Sequence, residues 1–256
     1  MNLPKGQARP AILFDLDGTL LSLEMADFER TYFKSLCAAF PELPPEKLRA
    51  SVWAGTRAMI SNTGPRTNRE VFAEVFTTES GMEYYENEPR FLEYYRTGFQ
   101  TCRSICRITD DSRALVEQLR QKGYLVAIAT SPLFPRIATG SRLNWLGLDP
   151  DSFPLVTTFE NSHSAKPNPA YYREVLQTLS LRPEDCIMVG NDVEEDGCAR
   201  ALGMEVFLMT DHLYNPKGLP GDSFPQGTMA EFLRWAESLP VLPDELRILR
   251  QAVGQH

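Results

Sequence analysis

Residues 11–20 read AILFDLDGTL, and this stretch decides the fold. Its opening, AILF, is a short unbroken apolar run, the pattern of a strand buried on both faces. The run then turns acidic: Asp15 and Asp17 stand two apart, and Gly18 opens a turn. Open α/β sheets place their ligand sites at the carboxyl ends of the strands, so an acidic loop there is positioned for chemistry. Two carboxylates held so close repel each other, a cation offsets the repulsion, and oxygen ligands suit Mg2+. A turn made of good turn formers is the plainer reading. A D-x-D-G-T string, however, arises by chance with a probability on the order of 10⁻⁵ per position.

Similar apolar runs recur at 125–129 (LVAIA), 154–158 (PLVTT), 186–189 (CIMV) and 205–209 (EVFLM). Helical patterns separate them. Thr109 or Asp110 caps a helix carrying Leu115, Val116 and Leu119 and stopped at Gly123. Residues 135–146 form a second, less regular helix. Asn168 and Pro169 start a third, with Tyr172, Val175, Leu176 and Leu179 on one face, and the segment after Gly190 makes a fourth that ends near Gly203. This alternation predicts an α/β fold with a Rossmann-like parallel-sheet core and helices on both faces.

Residues 22–108 break the alternation. Phe28, Tyr32, Leu36 and Phe40 recur at helical spacing, as do Leu48, Val52 and Met59, then Val71, Phe72, Val75 and Phe76, then Leu92, Tyr95 and Phe99. Thr67 with Glu70 forms a capping box. About four helices are thus inserted after the first strand. The core is expected over 1–21 and 109–256 and the α-helical insert over 22–108. In the tail, 212–256, a Pro/Gly-rich loop precedes helical stretches around 228–239 and 244–253.

Composition narrows the function classes. The chain has 256 residues, 43% hydrophobic and 23% charged, which excludes a disordered or collagen-like protein. Lys and Arg number 26 against 34 Asp and Glu, a balance of −8 that suits neither non-specific nucleic-acid binding nor an anionic membrane surface. No apolar run approaches the roughly 20 residues of a membrane helix, and MNLPKGQARP lacks the apolar stretch of a signal peptide. A cytoplasmic location is the expectation. The five cysteines are scattered and odd in number, and Cys102 and Cys106 have no second Cys/His pair to complete a zinc site, so ordinary thiols are expected.

DLDGTL at 15–20, Thr130 ending LVAIAT, Lys166 in AKPNP and GNDVEED at 190–196 resemble, in order, the four motifs of the haloacid dehalogenase superfamily of phosphatases. The resemblance covers residues 11–20 and about 109–210. The 22–108 insert matches that superfamily's helical cap in position and type, not in sequence. The resemblance implies that Asp15 is the nucleophile, already ionised near neutral pH, attacking phosphorus to form an aspartyl-phosphate. It implies that Asp17 is the general acid and base, with its backbone carbonyl a metal ligand. Thr130 and Ser131 would hydrogen-bond the phosphoryl group, with Thr19 also beside the substrate. Lys166 would be the fixed cation bridging nucleophile and phosphate. Asp192 would complete the Mg2+ coordination, and Asp196 would orient Lys166 or a metal-bound water.

Asn191 departs from the pattern, since relatives often carry an acid there, and its role stays open. Glu194 and Glu195 read as ordinary acids at a helix start. The three His residues are weak signals, and the pairs Tyr84-Tyr85 and Tyr94-Tyr95 read as core and surface of the insert. A loop at 54–65 would carry Arg57 toward a second anionic group on the substrate. The expected activity is hydrolysis of a small phosphate ester by a monomer or homodimer. A phosphomutase of the same fold and a non-catalytic phosphate-binding relative stay open. A phosphonate hydrolase, which needs a cap lysine, ranks lower because the insert offers only Lys34 and Lys47.

Overall fold

Four of the five apolar runs become parallel strands in the computed structural model, which describes residues 10–243. They are β1 (Ala11–Phe14), β2 (Leu125–Ile128), β3 (Cys186–Gly190) and β4 (Glu205–Met209), joined by a short β5 (Gln226–Gly227). The sheet order is β2-β1-β3-β4-β5, every pair parallel. Phe14 at the end of β1 lies level with Ile128 on one side and Val189 on the other. The loops that leave these three strands therefore emerge side by side.

Helices α1 (Met25–Ala39), α2 (Pro45–Ile60), α3 (Asn68–Ser80) and α4 (Tyr84–Arg96), with a 3-10 segment at Gly98–Ile105, follow β1 in the chain. The rest are α5 (Asp111–Gln121), α6 (Arg136–Trp145), α7 (Pro169–Thr178) and α8 (Met229–Ser238). Successive strand side chains point to opposite faces. Ile12, Phe14, Val126, Ile128, Val189 and Phe207 accordingly join one core, which includes residues of α5, α6 and α8. Ala11, Leu13, Leu125, Ala127, Met188 and Leu208 join the other, with α7 and a 3-10 segment at Gly197–Leu202. Both faces are covered, which is why the strands could be apolar throughout.

The helical block buries its predicted stripes, Phe28, Tyr32 and Leu36 among them. Thr67 and Glu70 form the expected capping box at the start of α3. Tyr84, Tyr94 and Tyr95 are buried and Tyr85 is exposed. The block leaves and rejoins the core at one point, where Ser22 and Arg107 pair antiparallel.

Four expectations need correction. Residues 154–158 do not form a strand: only Val156 pairs, with Ile128. Pro154 has no N–H to give, and the Asn161 side chain takes the Val156 carbonyl at 2.9 Å and the Thr158 amide at 2.8 Å, so side-chain bonds replace the ladder. Residues 54–60 are helix, and the loop is confined to 61–67. Gly55 does not break α2; a Cβ there would meet the Phe72 ring at 2.6 Å, so the glycine lets α2 and α3 approach. The segment after Gly190 is a turn followed by 3-10 helix, because the carboxylates of Asp192 and Asp196 hold its backbone amides. In the tail, β5 adds a strand that two residues could not signal, while the 244–253 stretch lies outside the described residues. All five cysteines are free, and no helix among the described residues is long and apolar enough to cross a membrane.

Helix α8 belongs to the core. Phe232 is fully buried, with its ring 6.0 Å from that of Phe14 and 4.8 Å from that of Phe207. Phe232→Ala is expected to destabilise the fold by about 3–5 kcal/mol, read from the urea midpoint. A loss under about 1 kcal/mol would show that α8 is peripheral.

Candidate active site

The Asp15 amide donates to the Val189 carbonyl at 2.8 Å, extending the ladder one residue beyond β1. Its carboxylate therefore stands at the mouth of the sheet. Lys166 Nζ meets it, 2.9 Å from Asp15 Oδ1, and also lies 2.6 Å from Asp196 Oδ1. Lys166 reaches this point from the turn before α7, which Asn168 caps by accepting from the Ala170 amide at 2.9 Å. The Tyr171 ring lies beneath it, 6.0 Å from centroid to Nζ. Lys166 and Asp196 are each only 1% exposed. Burial alone would lower the Lys166 pKa, but the facing carboxylates of Asp15 and Asp196 hold it well above the usual lysine range.

The turn after β3 is built from carboxylates accepting amides. Asp196 Oδ2 accepts from the Asp192 amide at 2.9 Å, and Asp192 Oδ1 accepts from the amides of Glu194 and Glu195 at 2.8 and 2.9 Å. Gly190 is required, since a Cβ there would fall 2.0 Å from Asp196 Oδ2. Asn191 has a structural task. Its Oδ1 accepts from the Thr19 hydroxyl at 3.1 Å, its Nδ2 donates to the His212 carbonyl at 2.8 Å, and it fills the space above Gly18, whose φ is +79°.

Thr130 is buried at the end of β2, with its carbonyl accepting from the Thr157 and Tyr171 hydroxyls at 2.7 and 2.9 Å. The next hydroxyl, Ser131 Oγ, is buried without a hydrogen-bond partner. Asp17 has one oxygen, Oδ2, in an ion pair with Arg142 Nη1, while Oδ1 is buried and unpartnered.

Two expected substrate contacts look different in three dimensions. Thr19 donates its hydroxyl proton to Asn191 and its amide to the Leu16 carbonyl. Arg57 is exposed on the last turn of α2, on a helix rather than in a loop. The helical block reaches the site through Asn68 instead. Its Nδ2 donates to the carbonyls of Pro132 and Ser164 at 3.2 and 3.1 Å, tying together the loops that carry Ser131 and Lys166.

Sequence reasoning missed Arg142 and Glu195. Arg142 left one trace, the irregular apolar spacing of 135–146, where it sits one turn after Ala138 on the inner side of α6. Glu195 looked like one more acid at a helix start. Its carboxyl is pushed up to about 8, chiefly by burial, with Lys166 opposing and Asp192, Asp196 and Asp15 adding. Asp15 is pushed up to about 7 by burial, opposed by Lys166 and reinforced by Asp196 and Asp17. Burial also raises Asp17 against the pull of Arg142, and raises Asp192 against its amide donors. The carboxyls of Asp15, Asp17, Asp192, Glu195 and Asp196 thus face the cations Lys166 and Arg142 and outnumber them. A cleft of about 510 Å3 lined by Arg200, Met204 and Phe224 lies elsewhere, at the amino end of β4.

Residues 12–209 match the haloacid dehalogenase-like hydrolase family. The chain belongs to that family. It is a hydrolase. Pyrophosphatase PpaX of Bacillus cereus (strain Q1) is 24% identical over 181 residues, 71% of this chain and 74% of PpaX. A predicted phosphoglycolate phosphatase of Haemophilus somnus 129PT shares the fold with a TM-score of 0.54 and 20% identity, over 90% of this chain and 99% of that one. The L-2-haloacid dehalogenase PA0810 shares it with a TM-score of 0.53 and 16% identity, over 88% and 98%.

The raised carboxyls make a stability prediction. Asp15 and Glu195 keep protons in the folded, metal-free protein at pH values where the unfolded chain has lost them. Their contribution is largest below the unfolded carboxylate pKa and is lost as pH rises through about 7 and then about 8. The melting temperature of chelator-treated protein is expected to fall by several degrees between about pH 5 and pH 8. A flat or rising profile would show that these carboxyls titrate normally.

Proposed function

We propose that this chain is a Mg2+-dependent phosphomonoesterase that acts on a small phosphorylated metabolite through an aspartyl-phosphate on Asp15. The observation that carries the reading is the buried Asp15–Lys166–Asp196 array at the mouth of β1. A nucleophilic carboxylate and a fixed cation stand 2.9 Å apart there.

The donor set fits a hard divalent cation. Among the described residues no three His, Cys, Asp or Glu side chains converge as a ready-made metal cage. The proposed set needs only two, Asp15 and Asp192, with the Asp17 carbonyl, leaving the other positions to phosphate and water. The carboxyls of Asp15, Asp17, Asp192, Glu195 and Asp196 outnumber the cations Lys166 and Arg142, a balance that suits a divalent cation. When bound, Mg2+ supplies positive charge against which a phosphate dianion can approach a carboxylate.

The residues then divide the work. Lys166 and the hydroxyl of Ser131 hold the phosphoryl oxygens. An Asp15 oxygen forms a bond to phosphorus as the bond to the ester oxygen breaks, and that oxygen leaves with its electron pair. Asp17 gives it a proton. Water then attacks phosphorus while Asp17 takes a proton back, releasing phosphate and restoring the Asp15 carboxylate. Asp196 keeps Lys166 in place. The helical block acts as the cap that excludes water and reads the leaving group.

A screen of sugar phosphates, nucleotides, phosphoglycolate and cofactor phosphates tests the reading. Free phosphate should appear only with Mg2+ and without a bisphosphate activator, which separates hydrolysis from a mutase. Asp15→Asn should lower turnover by about three orders of magnitude or more with an unchanged circular dichroism spectrum. Full activity in that variant would refute the nucleophile.

A further inference from the structure

Arg142 is the bulkiest of the fully buried side chains, only 1% exposed, and it projects from α6 toward the loop after β1. Its guanidinium is held on several sides. Nη1 pairs with Asp17 Oδ2, Nη2 donates to Thr139 Oγ1 at 3.2 Å, and Nε donates to the Ala138 carbonyl at 3.3 Å. Phe134 lies 4.6 Å from Cζ to ring centroid, and Phe28 of α1 lies 5.9 Å away. Thr139 and Ala138 are on α6 itself, so the fork is anchored to a helix before it meets Asp17. Asp17, by contrast, sits in a turn three residues beyond β1, next to Gly18 with its positive φ.

Apolar side chains of similar volume often replace a buried ion pair with no loss of stability. A buried arginine at this place therefore calls for a task other than packing. Its pair engages one Asp17 oxygen and leaves the other, Oδ1, buried and unpartnered. Arginine does not give up its proton near neutral pH, so it cannot act as the acid itself. What it can do is hold a flexible carboxylate with one chosen oxygen free.

We infer that Arg142 is a positioning residue that fixes Asp17 so that Oδ1 is the oxygen exchanging protons with the leaving group and the attacking water. This rests on the reading of Asp17 as general acid and base. The same guanidinium lies over the Phe28 ring of the helical block, 5.9 Å from its centroid.

Leaving-group chemistry separates this role from mere scaffolding. A p-nitrophenyl leaving group departs without a proton, whereas an alkyl alcohol needs one. Arg142→Met should give a fast burst of about one p-nitrophenol per site followed by slow turnover, since only the second step then needs Asp17. On an alkyl phosphate the same variant should lose about 10²-fold in kcat with no burst. Asp17→Asn should behave alike, and the double variant should be no slower than Asp17→Asn alone. Arg142→Lys, which keeps a charge but loses the fork, should fall between wild type and Arg142→Met; it is the variant compared if Arg142→Met does not fold. Equal losses on both substrates, wild-type behaviour, or a double variant much slower than Asp17→Asn would each overturn the inference. Asp15→Asn, which should abolish the burst altogether, tests the aspartyl-phosphate reading separately. If wild-type turnover does not depend on Asp15, that reading fails and takes this one with it.

Discussion

An ammonium group with almost no contact with water has to be compensated by charge within reach, and the Lys166 ammonium finds two carboxylates, Asp15 and Asp196. Desolvating such an ion costs several kcal/mol unless its partners are fixed in good geometry. The fixing runs outward through the sheet. Asp15 is held by its backbone bond to Val189, and Asp196 by the Asp192 amide under a side-chain-free Gly190. Lys166 is delivered by a turn that Asn168 caps and that Asn68 of the helical block braces through Ser164. Disturbing any of these supports leaves a buried charge without its partner.

The core was legible because its physics is local. A strand buried on both faces must be apolar throughout, and β1, β2, β3 and β4 announce themselves that way. The candidate site residues were readable because Asp15, Asp17, Asp192 and Asp196 lie in short strings just after β1 and β3, and Lys166 in a proline-rich turn before α7. The helical stripes of the insert were readable for the same reason, since a 3.6-residue period records which side is buried.

What escaped depends on partners distant in the chain. Gly55 looks like a loop marker until Phe72 is seen lying against it. Residues 154–158 look like a strand until Asn161 captures their backbone. Arg142 pairs with a residue 125 positions away, and nothing in its neighbours' identities announces Asp17. Glu195 is unusual chiefly because the fold buries it, with Asp192, Asp196 and Asp15 adding to the effect. Even β5 exists by virtue of an edge that β4 offers.

The antiparallel pairing of Ser22 with Arg107 has an architectural consequence. The path from β1 to α5 departs and comes home through adjoining backbone, so the whole insert is, topologically, one elongated detour on a single connection. Its length and contents are free of the sheet's geometry, because neither end has to span any distance. Such a junction is a graft point: a different set of helices could be spliced in while the catalytic strands kept their registry. The insert and the sheet can thereby change independently of each other.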